Sequence, residues 1–199
     1  MDRFRSFHFL LRYRNNIKYY KAKRGSEMRQ EKELAVYSLL EKLGIEYTRV
    51  DHEAANTMEA CQEIDKQLGV FMCKNLFLCN RQKTEFYLLL MPGDKPFKTK
   101  DLSAQIGSAR LSFADAEFME KYLNILPGAV SVMGLMNDVD NKVKLLIDRE
   151  VAESEYIGCH PCVNTSSLKI MTKDIMEKFL SEVNHEATIV DLPCYESVL

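Results

Sequence analysis

The most informative stretch of the sequence is KNLFLCNRQKTEFYLLLM, residues 74–91. It contains two runs of apolar and aromatic residues, 74–79 and 85–91, and each run has the length of a buried β-strand. The residues between them, 80–84, are polar and begin with a turn-forming asparagine. Strands joined by so short a connection pair antiparallel, so the sequence predicts a β-hairpin over residues 74–91.

Further elements are predicted on both sides of this hairpin. Helical spacing of apolar residues, with capping signals at Thr57 and at Ser112 with Asp115, predicts helices over residues 34–43, 57–69, 100–124 and 172–183. Strands are predicted over residues 45–50, 129–136, 142–148, 168–171 and 187–192, and a polar turn alone separates the second of these from the third. Because hairpins outnumber helical crossovers, we expect an α/β fold of the α+β type, with a mixed, mostly antiparallel sheet and packed helices.

Length and composition indicate one globular domain. The chain has 199 residues, a formal net charge of -2 and a pI near 6.1. The total charge therefore does not indicate the broadly basic surface of many nucleic-acid-binding proteins. No apolar run approaches the roughly 18 residues of a membrane-spanning helix, so no membrane association is expected. The six cysteines lack the dense spacing of a secreted disulfide scaffold, and we expect a cytoplasmic protein.

Residues 1–27 differ from the rest of the chain. They carry eight arginines and lysines against Asp2 and Glu27, with aromatic residues between them. Such a segment is typical of a nucleic-acid-binding tail, of an organelle-targeting segment or of a poorly ordered extension. We therefore divide the chain into a basic extension, 1–27, and a globular domain, 28–199.

Three short motifs carry candidate chemistry. Lys74 opens the first strand of the hairpin, where its ammonium lies at the end of an apolar face and is suited to bind an anion, although a lysine at a strand start is commonly only solvated. The turn Pro127-Gly128 leads into a strand, and a glycine there allows either a bend or a close approach of substrate to backbone amides. His160 precedes a proline in the loop GCHPC, residues 158–162, where the imidazole can face a cleft.

Cys159 and Cys162 form a Cys-x-x-Cys pair within this loop. A redox function must be considered because thiolates in such motifs can be strongly activated. The pair is not at the first strand-to-helix turn of a thioredoxin-like unit, and no second Cys-x-x-Cys completes a zinc site. We expect both to be ordinary small side chains, and no metal or other cofactor is predicted.

Four ordered motifs together resemble the YbaK/ProX aminoacyl-tRNA editing family. They are KNLFL at 74–78, GSARLSFA at 107–114, LPGAVS at 126–131 followed by LMND at 135–138, and GCHPCVNT at 158–165. The nearest branch is ProX (PrdX), the free-standing relatives of the editing insertion in prolyl-tRNA synthetase. The resemblance covers about residues 28–192 and implies the fold of that editing domain, with a strongly curved mixed sheet.

The resemblance also implies roles for individual residues. Lys74 matches the lysine that holds the terminal adenosine and its phosphate, and Asn75 matches the polar residue beside it. His160 matches the histidine that positions the aminoacyl group or the attacking water, and Gly128 the glycine of a Gly-x-x-x-Pro loop. Arg110, Ser131 and Gly158 are further candidates for substrate binding. The proline of the loop is replaced by Val132, which weakens the expectation of a rigid loop.

The implied function is deacylation of mischarged Ala-tRNA(Pro) in trans. An aminoacyl ester is already activated, so its hydrolysis requires a positioned water and charge stabilisation more than a protein nucleophile. Deacylation of Cys-tRNA(Pro) and non-catalytic tRNA binding are the alternatives. The expected partner is the acceptor end of tRNA(Pro), with transient association with prolyl-tRNA synthetase or an elongation factor. We expect Lys74, Gly128 and His160 to converge on one narrow cavity sized for a methyl side chain.

Overall fold

The structure of the protein is a computed structural model, and it describes residues 23–24, 27–54 and 58–195. Most of the basic extension and the capping signal predicted at Thr57 lie outside these residues. The described elements, in chain order, are β1 (Lys23–Arg24), β2 (Glu27–Met28), α1 (Glu31–Lys42), β3 (Tyr47–Asp51), α2 (Met58–Leu68), β4 (Lys74–Asn80), β5 (Phe86–Met91), α3 (Thr99–Gln105), β6 (Leu111–Phe113), α4 (Ala116–Leu123), a 3-10 helix (Val132–Asn137), β7 (Val143–Asp148), α5 (Arg149–Glu153), β8 (Tyr156–Cys159), β9 (Ser166–Met171), α6 (Thr172–Asp174), a π-helix (Ile175–Phe179), α7 (Leu180–Glu182) and β10 (Ala187–Val190).

Most of the strands form two sheets. The five-stranded sheet has the order β10-β7-β5-β4-β6, in which β10, β7 and β5 run parallel, whereas β4 is antiparallel to both β5 and β6. The three-stranded sheet has the order β3-β9-β8 and is antiparallel throughout. The short β1 and β2 pair with each other. The predicted fold class, a mixed and mostly antiparallel arrangement with packed helices, is confirmed.

The predicted hairpin is present at the centre of the larger sheet. Strands β4 and β5 pair from Lys74 opposite Met91 to Cys79 opposite Phe86. The turn forms because Asn80 Oδ1 accepts hydrogen bonds from the backbone amides of Thr84, at 2.9 Å, and Glu85, at 3.3 Å. This local side-chain bond fixes the register of the hairpin.

Both faces of the five-stranded sheet are covered. Successive residues of β5 alternate between two hydrophobic clusters: Leu88 and Leu90 belong to the larger, and Leu89 and Met91 to the smaller. All six residues of β5 are buried, which explains why its sequence is a continuous apolar run rather than an alternating one. None of the described helices is long and apolar enough to span a membrane.

The strand predicted over residues 129–136 is wrong. Residues 132–137 form the 3-10 helix instead, and β7 lies parallel to β5 rather than in a hairpin with the preceding segment. The helix packs so closely that a Cβ on Gly134 would lie 2.5 Å from Ile125 Cδ1. Tight packing of an apolar segment therefore outweighs its strand-like pattern.

The continuous helix predicted over residues 100–124 is also wrong. Gly107, with a φ of +63°, follows the end of α3, and Ser112 lies in β6 opposite Cys79. Asp115 is the N-cap residue of α4 but makes no side-chain capping bond. In addition, Gly158 and Cys159, predicted to begin a loop, complete β8.

Candidate active site

Lys74 lies at the start of β4, as predicted. Its ammonium donates a hydrogen bond to the carbonyl oxygen of Lys95 at 3.0 Å. The side chain of Lys95 is itself buried and pairs with Asp148 at 3.1 Å and with Glu150 at 2.6 Å. Because an ammonium has three donors, Lys74 retains donors for a ligand while the buried ion pair holds its acceptor in place.

Gly158 joins the start of β4 to the smaller sheet. Its carbonyl oxygen accepts a hydrogen bond from Cys73 N at 2.9 Å, immediately before Lys74. A Cβ on Gly158 would lie 2.7 Å from Phe71 O and 3.0 Å from Met72 Cα. Only glycine allows this approach. Gly158 therefore places the start of β4 against β8, two residues before His160 in the chain.

His160 is held by the start of β9. Its Nδ1 lies 2.9 Å from Ser166 O and 3.3 Å from Ser167 Oγ. Because a carbonyl oxygen only accepts, Nδ1 carries the proton and Nε2 carries a lone pair. No group among the described residues hydrogen-bonds to Nε2. Burial, together with the nearby His52, lowers the pKa of His160 against the opposing hydrogen bond to Ser166, so the ring is neutral near pH 7.

A directional hydrogen-bond chain continues from His160 to His52. Nδ1 of His52 lies 2.7 Å from the carbonyl oxygen of Glu53, and Nε2 lies 2.8 Å from Ser167 Oγ. His52 therefore donates from Nδ1 and accepts the hydroxyl proton of Ser167 at Nε2, which leaves the Ser167 oxygen to accept from His160. Each bond in the chain favours the same tautomer of His160.

Ser131 contacts the His160 backbone, and Gly128 lies beside the segment that follows it. Ser131 Oγ donates to His160 O at 2.5 Å and accepts from Met133 N at 3.2 Å. Ser131 is 0% exposed and uses its donor and an acceptor on protein groups, so it supports this loop. Gly128 has a φ of +88°, and a Cβ there would lie 3.7 Å from Asn164 Nδ2. The turn at Gly128 is thus next to the segment that follows His160.

Asn75 carries an unused acceptor next to Lys74. Its Nδ2 donates to Cys73 O at 2.9 Å, whereas its Oδ1 is buried and accepts no hydrogen bond from any described group. A buried amide oxygen without a partner is costly. This acceptor is suited to a donor group of a ligand.

Arg110 does not join these residues. It immediately precedes β6, whose Leu111 pairs with Asn80 at the far end of β4. At about 3.3 Å per residue, that end lies about 20 Å along the strand from Lys74. A substrate reaching both residues must therefore be much longer than a single aminoacyl group.

The Cys-x-x-Cys pair is buried. Cys159 and Cys162 are 0% and 1% exposed, and neither forms a disulfide. Burial raises the pKa of Cys159 well above its usual range and that of Cys162 to about 12. Neither is a reactive thiolate near pH 7. Within the described part of the chain, no cluster of three or more His, Cys, Asp and Glu side chains is placed to bind a metal.

Sequence patterns missed the residues that hold His160 in place. Ser166 bonds to Asp51 at 3.0 Å and to the hydroxyl of Tyr37 at 3.1 Å, in addition to its contact with His160. The only local signal is the polar run Thr165-Ser166-Ser167 at the start of an otherwise apolar strand. His52 and Tyr37 are distant in sequence, so no local pattern associates them with His160.

A cavity of about 360 Å³ is present away from these groups. It lies over β7 and β10 and is lined by Tyr87, Lys144, Glu186 and Thr188 among others. It includes none of Lys74, Gly128 and His160. The narrow cavity expected around those three residues stays a prediction.

Comparison with known proteins identifies the family of this chain. The family model described as aminoacyl-tRNA editing domain matches residues 52–178. The prolyl-tRNA editing protein ProX of Acetoanaerobium sticklandii is 32% identical over 141 residues, which cover 71% of this chain and 86% of that protein. Prolyl-tRNA synthetase associated domain-containing protein 1 of Danio rerio is 29% identical over 153 residues, covering 76% and 82%.

The fold is also found among solved structures. One described as a candidate trans-editing enzyme for prolyl-tRNA synthetase superposes with a TM-score of 0.62 at 14% identity and covers 83% of this chain and 99% of its own. At that identity the match supports the fold alone. Together with the family match over residues 52–178 and the relationship to ProX, it confirms the resemblance deduced from the motifs. The chain belongs to the aminoacyl-tRNA editing domain family.

Proposed function

We propose that this protein hydrolyses alanine from mischarged Ala-tRNA(Pro) in trans. The observation that carries the proposal is a partly buried, neutral His160 whose Nε2 is unbonded among the described residues, beside the junction that brings in Lys74. The relationship to ProX, named as a prolyl-tRNA editing protein, supports the choice of tRNA. The expected partner is the acceptor end of tRNA(Pro), with transient association with prolyl-tRNA synthetase or an elongation factor.

The reaction needs little from the protein beyond placement. A water that donates a hydrogen bond to His160 Nε2 attacks the carbonyl carbon of the aminoacyl ester. Its proton passes to the imidazole or to the terminal ribose. The ester bond then breaks, and the ribose oxygen leaves as a hydroxyl together with free alanine. A positioned water and a neutral base suffice because the ester is already activated.

Lys74 and Gly128 have complementary roles in this proposal. The remaining ammonium donors of Lys74 hold the phosphate of the terminal adenosine. The Gly128 N–H has no acceptor among the described residues, whereas the neighbouring Ala129 N–H already donates to Leu126 O at 3.1 Å. Gly128 therefore offers a free amide for the developing oxyanion.

Selectivity follows from the rigidity of the loop. Val132, at the position of the family proline, is 0% exposed, and Ser131 bonds both into the 3-10 helix and to the His160 backbone. These contacts restrain the loop in place of a proline ring. A restrained loop admits alanine and excludes the bulkier proline, since steric rejection is stronger than discrimination by attraction alone.

The decisive experiment compares hydrolysis of Ala-tRNA(Pro), Cys-tRNA(Pro) and Pro-tRNA(Pro) by the full chain. We expect alanine to be released fastest and proline to remain attached. Faster release of cysteine would make this a cysteinyl-tRNA deacylase. Tight tRNA binding without release of any amino acid would leave only a tRNA-binding module.

Two substitutions then separate chemistry from binding. His160→Ala should lower kcat about 100-fold to 10,000-fold, the usual contribution of a positioned base. Lys74→Ala should raise KM about 10-fold to 100-fold by removing a charged contact. Lys173→Ala, whose side chain is 71% exposed on α6, is the matched control and should leave both constants unchanged.

A further inference from the structure

Phe71 is the most exposed of the large hydrophobic side chains that the structure describes. Its exposed fraction is 82%, compared with 61% for Phe113. The ring lies in the short segment between α2 and β4, and no residue that the structure describes buries it. Leaving an aromatic ring in water forgoes the stabilisation that burial provides.

The backbone on the α2 side of this ring is held firmly by Asp65. The carbonyl oxygen of Asp65 accepts from Gly69 N at 2.8 Å and from Val70 N at 3.3 Å, and its carboxylate accepts from Met72 N at 3.0 Å. These bonds fix the residues on both sides of Phe71. The backbone that carries the exposed ring is therefore held by hydrogen bonds and is not a loose loop.

Close packing against two glycines holds the same segment on its β4 side. Met72 forms an isolated parallel bridge with Gly158, and a Cβ on Gly158 would lie 2.7 Å from Phe71 O. A Cβ on Gly93 would lie 2.7 Å from Met72 O. Both neighbours approach the backbone so closely that it has little room to turn the ring inward.

Two lysines adjoin the segment that carries the ring, Lys74 along the chain and Lys169 through a contact from β9. Lys74 follows Phe71 by three residues, about 10 Å in an extended chain. Lys169 Nζ donates to Gly69 O at 3.2 Å. A fixed, exposed aromatic ring on a segment that two lysines adjoin matches single-stranded nucleic acid, whose bases stack on rings while its phosphates pair with cations.

We propose that the Phe71 ring stacks on an unpaired base of the tRNA acceptor end, the one adjacent to the terminal adenosine. The assignment rests on the proposed function, because it takes the terminal adenosine to be held at Lys74. The ring is then a binding residue that aligns the strand without reading its sequence, since every base has a face on which to stack.

The absence of tryptophan from the chain makes this proposal directly testable. Phe71→Trp places a single indole at the proposed stacking position. We expect its fluorescence to be quenched on titration with a hairpin RNA that carries the acceptor stem of tRNA(Pro) and its unpaired 3′ end. The same hairpin without the unpaired bases should leave the signal unchanged.

Phe113→Trp is the matched control, because Phe113 is also exposed but lies opposite Leu78, away from Lys74. It should not respond to either RNA. Equal quenching of both indoles, equal quenching by the blunt hairpin, or an unchanged Phe71→Trp signal under conditions where the RNA is bound would each overturn the stacking assignment. These outcomes need no catalysis, so they are distinguishable from a failure of the deacylation assay.

Kinetics provide the second measurement. Phe71→Ala should raise KM for the aminoacyl-tRNA about 5-fold to 100-fold, the range for loss of one stacked base, with little change in kcat. Phe71→Tyr keeps the ring and should restore the KM of the unmodified protein. An unchanged KM in Phe71→Ala contradicts the proposal, whatever the value of kcat.

Discussion

The tautomer of His160 is set by hydrogen bonds to neighbouring protein groups. Ser166 O and Ser167 Oγ both face Nδ1, and His52 orients the Ser167 hydroxyl. The proton is therefore kept on the nitrogen that faces the protein interior. The other nitrogen keeps the lone pair that a water needs.

Ser167→Ala should weaken this control. We expect kcat to fall about 10-fold, the equivalent of one hydrogen bond, with KM unchanged. Because Ser166 O still favours the Nδ1–H tautomer, the ¹⁵N NMR spectrum of His160 should shift only partly toward the Nε2–H tautomer, a change that a purely structural serine would not produce. Ser181→Ala, on the exposed surface of α7, is the control. An unaltered His160 spectrum in Ser167→Ala would refute the orienting role.

His185 and Asp138 form a buried pair that should make stability depend on pH. Burial opposes the charge on His185, but its bonds to Asp138 at 3.1 Å and to Val183 O at 2.8 Å outweigh burial and raise its pKa. Burial likewise opposes the charge on Asp138, yet the bond to His185 and two backbone amides lower its pKa. Both groups are thus charged near pH 6.

The stabilisation by His185 is complete below its unfolded pKa of about 6.5 and is lost as pH rises through the higher folded pKa. That from Asp138 is present above about pH 4 and is lost as pH falls through its lower folded pKa. His185→Ala should therefore reduce the free energy of unfolding by about 3–5 kcal/mol at pH 6 and by less at pH 9. Urea denaturation at the two pH values measures the difference, and an equal loss at both would contradict it.

At the scale of elements, the hairpin was predictable and the 3-10 helix was not. Strands β4 and β5 are adjacent in sequence, and their turn is encoded by Asn80 itself. By contrast, residues 132–137 have a strand-like apolar pattern, and only their packing against Ile125 and Leu123 selects a helix. The parallel pairing of β7 with β5 is equally non-local, so no neighbouring residues indicate it.

Val132→Pro introduces the proline that the resemblance implies for this position and should be tolerated. Val132 is the first residue of the 3-10 helix, where proline is favoured, and no described group accepts from its N–H. Ser131 has a φ of -154° and a ψ of 150°, the extended conformation that precedes proline. We expect an unfolding free energy within about 1 kcal/mol of the original. A large fall in Tm would show that the loop has a different conformation.

Gly158→Ala should separate the two sheets at their junction. Its Cβ would lie 2.7 Å from a backbone oxygen and displace the segment before Lys74, so both stability and kcat/KM should fall. Gly44→Ala is the control, because Gly44 has a φ of +60° but open space around its Cβ position. It should cost about 1 kcal/mol of stability and leave kcat/KM intact. Normal kcat/KM in a folded Gly158→Ala protein would refute the role of this junction.

At the scale of the whole molecule, the candidate site forms where the two sheets meet. Four motifs were sufficient to predict the family, and the roles they imply for Lys74, Gly128 and His160 stay predictions. They did not predict Ser167, His52 or the position of Arg110, because motifs record residue identity while these depend on strand register. The family is thus evident from the sequence. The residues that hold His160 in place could be identified only from the three-dimensional structure.

The low net charge of -2 leads to a prediction about salt. If Lys74 and Lys169 alone neutralise phosphates, log K for the acceptor-end hairpin should fall against log[salt] with a slope of about -1.4. Binding measured between 50 and 200 mM salt tests this value. A slope steeper than about -4 would contradict it and would show that further basic residues contact RNA; a variant without residues 1–27 would then test the basic extension.

The burial of the Cys-x-x-Cys pair has a practical consequence for chemical labelling. Of the six cysteines, Cys61 and Cys194 are exposed, whereas Cys79, Cys159 and Cys162 are buried. A maleimide dye or spin label applied to the native protein should attach at the two exposed sites first, one on α2 and one beyond β10. Residues 158–162, which include His160, would remain unmodified. Distances within the working protein can therefore be followed without first replacing its natural thiols.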